Sequence, residues 1–451
     1  MKKKSGKHIM RRQGLILFIL ISGLNLSGQE ILTLSDAIRI GLENNYSIII
    51  QKNDARIASN NNTPGNAGFL PVVNLSATQN NTFTDTRQET FFMGAQDSTV
   101  VREIDNAQNR TFNAGVQLTW TLFDGFSMFA GKNMLEILEE MGKTDARIEI
   151  ENTLSAIILN YYGIVQQQKL IQVLEDAAEL SLERKKIMEA RIGLGAGSEL
   201  QLLQSTVDLN ADSINLISET AAMLKTMADL NRLLARNPEI NFIPADSITL
   251  KNKLFYDSLL IKTREQNNTL LIARYNVSLN ELALKDYQSL RYPKLNLNAA
   301  YNYNQLNSET GYLKSNRSNG PSFGFSLTYP LFDGFNISRE IKNSRIELNT
   351  MENYLKDTDL GLHTDLYKLY NDYLTNLKII SIETVNQEVA RENVEVAFEK
   401  YRLGSINDIE LRETQKKYID AQYQLLLSQF RAKQAEVELL RISGNLIKLL
   451  D

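Results

Sequence analysis

The chain has 451 residues, 43% of them apolar and 23% charged, a length beyond one compact core and a composition that excludes wholesale disorder. It has no cysteine, seven prolines and two histidines, His8 and His363. A disulfide framework, a Cys-zinc site, a cysteine nucleophile and a collagen-like chain are excluded, and little is left for histidine chemistry.

The first element reads as an export signal. Lys2, Lys3, Lys4, Lys7, Arg11 and Arg12 precede an apolar run from Leu15 to Leu26 that closes on Ser27 and Gly28. The run is too short to span a bilayer, so cleavage is expected near Gly28, with a short membrane anchor as the alternative. Residues 1–28 hold six basic and no acidic side chains. The remaining chain therefore carries 43 basic and 53 acidic ones, a net charge of −10 that argues against a nucleic-acid partner. No later stretch is apolar enough for a transmembrane helix. An exported chain of this kind is periplasmic, secreted or an outer-membrane β protein.

Two copies of one unit follow, roughly 29–249 and 250–451. Leu122-Phe123-Asp124-Gly125-Phe126 recurs as Leu331-Phe332-Asp333-Gly334-Phe335, 209 residues later. Lys169, Ile171, Gly195 and Arg232 match Lys378, Ile380, Gly404 and Arg441 at the same offset. Upstream, Asn45, Ser47 and Pro71 match Asn267, Thr269 and Pro293 at 222, so the first copy carries thirteen extra residues between Pro71 and about Thr111. Such an insertion is expected in a surface loop.

Within each copy a helix comes first, over 36–60 with Ser35 as its cap, and over 257–289. Alternation then predicts strands at 71–81, 111–123, 293–304 and 321–332. Val73, Leu75 and Ala77 oppose Asn74, Ser76 and Thr78, and Leu295, Leu297, Ala299 and Tyr301 oppose Asn296 and Asn298. One face is apolar and aromatic, the other rich in Asn, Ser and Thr, as expected of a wall between lipid and a water-filled lumen. The loops 82–110 and 305–320 are expected to be the extracellular ones. A long helical hairpin follows each pair, over about 127–236 and 336–444. Ile150, Leu154, Ile157, Tyr161, Ile164 and Ile171, and in copy two Leu366, Tyr370, Tyr373, Leu377 and Ile380, form coiled-coil seams. Glycine-bearing breaks at Arg191–Ser198 and Arg402–Asn407 turn each rod back.

Four strands of membrane-spanning length cannot close a barrel, and open edges are not tolerated in lipid. Several chains must then share one barrel. At this point the sequence resembles the TolC family of outer-membrane efflux and secretion channels. The resemblance rests on Leu34-Ser35-Asp36-Ala37-Ile38 with Glu43-Asn44-Asn45, the two LFDGF segments, and the tips Arg191-Ile192-Gly193-Leu194-Gly195 and Tyr401-Arg402-Leu403-Gly404-Ser405. It implies a mixed α/β membrane protein in which a homotrimer builds a twelve-stranded outer-membrane β-barrel, continued by a coiled-coil α-helical barrel across the periplasm. It further implies a passive exit duct for efflux or type I secretion, joined to an inner-membrane pump or exporter through a periplasmic adaptor, with no cofactor. Many members carry a lipidated N-terminal cysteine. This chain has none, so no lipid anchor is expected.

The resemblance assigns adaptor docking to Arg191, Ile192, Gly193, Leu194, Gly195, Arg402, Leu403, Gly404 and Ser405. It assigns a periplasmic gate to acidic residues six and nine positions after the second-tip glycine, here Glu410 and Glu413. Three apart on a helix, they share a face, which could equally be a solvated one. Their first-copy counterparts are the neutral Gln201 and Gln204. At the strand–helix junctions Gly125 and Gly334 allow the bend, and Asp124 and Asp333 can satisfy helix N–H groups. The run Gly193–Gly197 lacks the preceding strand and the Lys-Ser/Thr of a phosphate loop, and reads as a helix–helix turn. His363 has no clustered partner for a metal. No nucleophile–base–orienter set is visible, which argues against an enzyme. An exported structural coiled-coil protein is the alternative; it explains the rods but not the strands.

Overall fold

The computed structural model describes residues 30–91, 99–250, 254–310 and 313–446. The expected export signal, residues 1–28, lies outside the described residues. In chain order the elements are β1 (Glu30–Leu32), α1 (Leu34–Asn44), α2 (Tyr46–Asn61), β2 (Val72–Phe91), β3 (Thr99–Phe123), α3 (Ser127–Gly193) and α4 (Glu199–Leu233). Then come β4 (Phe242–Pro244), α5 (Tyr256–Gln266), α6 (Asn268–Ser289), β5 (Lys294–Ser308), β6 (Ser315–Thr328), α7 (Asn336–Arg402) and α8 (Asp408–Ile442).

The first helix of each copy is broken in two, where periodicity alone predicts one. Asn45 and Asn267 leave the helical region at ψ 125° and 120°. Each buried asparagine caps the helix that follows: Asn45 Oδ1 accepts from the N–H groups of Ser47 and Ile48, and Asn267 Oδ1 from that of Leu270. Each amide also donates to the end of the returning helix, at Leu233 O (2.8 Å) and Ile442 O (2.9 Å). The two acceptors are themselves 209 residues apart. At the start of α1 the cap is Thr33, which takes the N–H of Asp36, rather than Ser35.

α3 and α7 are 67 residues each, rods of about 100 Å at 1.5 Å per residue. α4 and α8 are 35 residues each and return alongside them. The breaks are narrower than expected from sequence, because α3 runs on to Gly193 and α7 to Arg402. The largest core lies around the middle of the rods. Leu154, Ile157, Tyr161 and Ile164 of α3 are buried there against α1, Leu230 of α4 and Val437 of α8. A two-stranded parallel sheet, β1 with β4, straps this region. The Tyr161 hydroxyl lies 2.9 Å from Leu32 O and 2.7 Å from the Asp246 carboxylate, and Arg236 holds Glu30 through two N–H groups.

The other sheet is antiparallel, in the order β2-β3-β5-β6. Its register puts Leu75, Val116, Tyr301 and Pro321 in one row, and Leu118, Ala299 and Phe323 in the next such row. Thr78, Asn113, Asn304 and Ser318 share a row on the opposite face. Of the expected loops, 82–91 and 99–110 are instead ladder, as are 305–308 and 315–320. β2 and β3 stay paired from Thr82–Asn109 out to Phe91–Thr99, while β3 leaves β5 at Asn109–Ser308. The thirteen extra residues therefore lengthen a hairpin that projects about 30 Å past its neighbours. A bulge at Asp105–Asn106 bends it, with Asn106 at φ 54° and its N–H held by Asp85. β6 ends at Thr328, short of the expected 332, two residues before Pro330, which has no N–H for a ladder.

Candidate functional site: the tips of the helical hairpins

Both hairpins turn in the same way. Gly195 (φ 75°) and Gly404 (φ 74°) take the left-handed conformation that L side chains resist. Around them Gly195 and Ala196 donate to Ile192 O and Arg191 O, and Gly404 and Ser405 donate to Tyr401 O and Lys400 O. That paired pattern closes a helix C-terminus. The turns leave Leu194 and Leu403 at the apex, 84% and 80% exposed. Leu200 and Ile409, their neighbours on the return helices, are exposed too.

The structure joins the tips to each other. Arg191 donates to Tyr401 O at 2.6 Å and lies over the Tyr401 ring, 4.8 Å from its centre. Its guanidinium is thus engaged within the protomer, while Gly193, Leu194, Gly195, Arg402, Leu403, Gly404 and Ser405 are exposed at the apex. Met188, Ala397, Tyr401 and Leu411 are buried between the hairpins just behind them. Burial, with Asp408 nearby, pushes the Tyr401 phenol up to about 12. Arg402 pairs with Glu399 along its own helix at 3.4 Å.

Behind the tips lies a buried ionic cluster that motif reading of the sequence does not find. Arg184 of α3 is fully buried. It donates to both carboxylate oxygens of Asp408 on α8 (3.1 and 2.9 Å) and to Asp208 on α4 at 3.0 Å. Arg412 of α8 grips Asp212 of α4 with two N–H groups at 2.7 and 2.9 Å. Gln415 ties in Ser181 at 3.1 Å and Ala177 O at 2.9 Å. Burial works against the Arg412 charge, but its bonds to Asp212 and the nearby Asp208 and Asp408 hold its pKa above the usual arginine value. Three helices from two hairpins are locked here. A signal was available: at the 209 offset Arg184, Asp208, Asp212 and Arg412 face Asn393, Lys417, Ala421 and Leu203. The repeat breaks its own charge pattern at this cluster.

Glu410 and Glu413 stand exposed in the first two turns of α8, where Asn407 caps the N–H of Glu410. At the strand–helix junctions Asp124 accepts the N–H of Met128 and Asp333 that of Ile337. Gly125 (φ 74°) and Gly334 (φ 71°) differ in packing. A Cβ at Gly125 would lie 2.3 Å from Ser289 O, whereas one at Gly334 would meet nothing closer than 3.5 Å. His363 bonds to the Tyr256 hydroxyl at 3.0 Å.

Long paired helices under a sheet with one apolar and one polar face define a channel-forming outer-membrane protein. The outer membrane efflux protein family matches residues 42–236 and 259–445, and the chain belongs to that family. Solved structures share the fold. The Campylobacter jejuni CmeC outer membrane channel is 14% identical, with a TM-score of 0.76 over 92% of this chain and 86% of that one. The outer-membrane channel OprN is 15% identical, with a TM-score of 0.74 over 91% and 90%. The open-state Neisseria gonorrhoeae MtrE outer membrane channel is 12% identical, with 0.72 over 92% and 89%. Comparison with curated protein sequences gives no match.

Proposed function

We propose that three copies of this chain form one exit duct, with a twelve-stranded barrel in the outer membrane and a helical tunnel in the periplasm. The observation that carries this is a set of unpartnered surfaces on the single chain. β2 and β6 are open edges of a four-stranded sheet whose apolar face bears Leu75, Phe323 and Phe325 in the open. On α4, Leu200, Leu203, Val207, Ile214, Ile217 and Leu224 are exposed at alternating steps of three and four or whole heptads. On α7, Leu360, Tyr367 and Leu374, then Ile382, Val385, Val389 and Val396, repeat the pattern. Two heptad seams with nothing on them, one on each hairpin, suit α4 of one protomer against α7 of the next. The detergent-solubilised protein should have the mass of three protomers. A stable monomer with full strand content would overturn the reading.

The tips receive a periplasmic adaptor that links the duct to an inner-membrane pump or exporter. Leu194, Leu403 and the open Gly195 and Gly404 are the docking contacts, with Ile192, Gly193 and Ser405 around them. Arg191 and Arg402 complete the docking set, Arg191 held against Tyr401 and Arg402 exposed beside Glu399. Gly195→Asp or Gly404→Asp is expected to abolish export while leaving the trimer intact; normal export in both would place docking elsewhere. Glu410 and Glu413 line the narrow periplasmic opening, up to six carboxylates around the axis, which repel anions and concentrate cations.

A further inference from the structure

We propose that the cavity between the start of α3 and the end of α6 is a binding site for an anionic phospholipid of the periplasmic leaflet, with Lys285 and Arg291 holding its phosphate. The cavity measures about 420 Å³ and its only charged lining residues are these two. Both are exposed. Neither forms an ion pair among the described residues, and Asp286, next along α6, accepts the Ser127 hydroxyl. Phe126, Phe129 and Tyr292 give the cavity an aromatic wall, and Ala130, Leu282, Asn133, Gln288 and Ser289 complete it. Phe126 lies 6.0 Å from Phe129 and 6.4 Å from Tyr292, centre to centre, and Phe123 lies 5.3 Å from Phe126.

Position makes the occupant a lipid. Phe123 stands opposite Leu295 on the apolar face of the sheet, and Trp120 on the same face donates to Phe69 O at 2.9 Å. The aromatic cluster is therefore the lower rim of the apolar band, at the depth where aromatic girdles meet head groups. Acyl chains can lie along Leu295 and Leu297 while a phosphate reaches two cations beside the helix ends. A guanidinium and an ammonium lining one cavity suit a phosphodiester.

The internal repeat supplies the comparison. At the 222 offset Lys285 and Arg291 correspond to Thr63 and Phe69, and at the 209 offset Phe129 corresponds to Ser338. The charge pair and one wall belong to this junction alone. Each protomer thus has one such site.

This inference rests on the barrel reading. To test it, the purified trimer is titrated in nonionic detergent with dioleoylphosphatidylglycerol, with dioleoylphosphatidylcholine, and with glycerol 3-phosphate. Adducts are counted by native mass spectrometry. Up to three phosphatidylglycerol adducts are expected, with phosphatidylcholine held roughly tenfold more weakly. Lys285→Gln with Arg291→Gln should lose that preference, and Lys285→Arg with Arg291→Lys should keep it. Arg291→Gln alone, expected to weaken it in part, serves if the double variant fails to assemble. Equal retention of both lipids, or an unchanged preference in the glutamine variants, would overturn the site. Saturation by glycerol 3-phosphate at the same concentration would overturn the lipid as occupant. Failure of the barrel reading shows separately, as absence of the trimer mass in the same spectra.

Discussion

At the scale of single residues, Arg184 carries the greatest energetic weight near the tips. A fully buried guanidinium is tolerable only because Asp408 and Asp208 surround it. Arg184→Met would leave Asp408 buried without its partner, with Asp208 keeping Arg412 at 3.6 Å, at a cost of about 3–5 kcal/mol. α8 should then lose its hold on α3 and α4, and the periplasmic opening should widen. Planar-bilayer recording is expected to show higher conductance for Arg184→Met, and weakened cation selectivity with weakened block by multivalent cations for Glu410→Gln with Glu413→Gln. Unaltered traces in both variants would separate the ionic cluster and the glutamates from the aperture. Tyr401 sets a pH limit on the same region. Its folded-state pKa is raised, so its contribution is whole below about 10 and is lost as pH rises toward about 12.

Elements show most clearly what the sequence discloses. The two LFDGF segments, the alternating strands and the helical rods are legible because each has a period, and the repeat doubles every signal. The break at Asn45 and Asn267 is not, since apolar spacing continues across one non-helical residue. Yet both asparagines stand out as repeat matches, and their shared bond to a returning helix explains why. The segment 82–110 reads as loop because Thr82, Thr84 and Thr86 alternate with Phe83, Asp85 and Arg87, with no apolar face to betray a strand. The cluster at Arg184 joins residues 24 and 224 positions apart, beyond any local pattern. α4 is the element on which assembly turns. Ile217, 68% exposed, sits mid-seam, and Ile217→Asp should shift the detergent-solubilised protein from trimer toward monomer with its helix content kept. A trimer of undiminished stability would mean that α4 faces water.

For the whole molecule, orientation follows from the sheet. The far ends of the β2–β3 and β5–β6 ladders, at Phe91–Thr99 and Asn307–Ser315, lie opposite the rods, so they should face the outside of the cell. Cysteines placed at Glu89 and Ser315 should react with an impermeant maleimide on intact cells; protection until lysis would reverse the orientation. Of the two, Glu89 should label faster, because its hairpin projects beyond the other strands.

α3 and α7 are equal at 67 residues, as α4 and α8 are at 35, so duct length is a quantity the chain must keep four times over. Loss of seven residues from each arm of one hairpin would lift its tip about 10 Å out of line with the other. Arg191 would no longer reach Tyr401, nor Arg184 Asp408. The same loss from all four rods keeps every seam in phase and yields a shorter working tube. Changes in the width of the periplasm are therefore matched only by paired, heptad-sized edits. Single insertions in one rod are penalised however polar the surface they fall on.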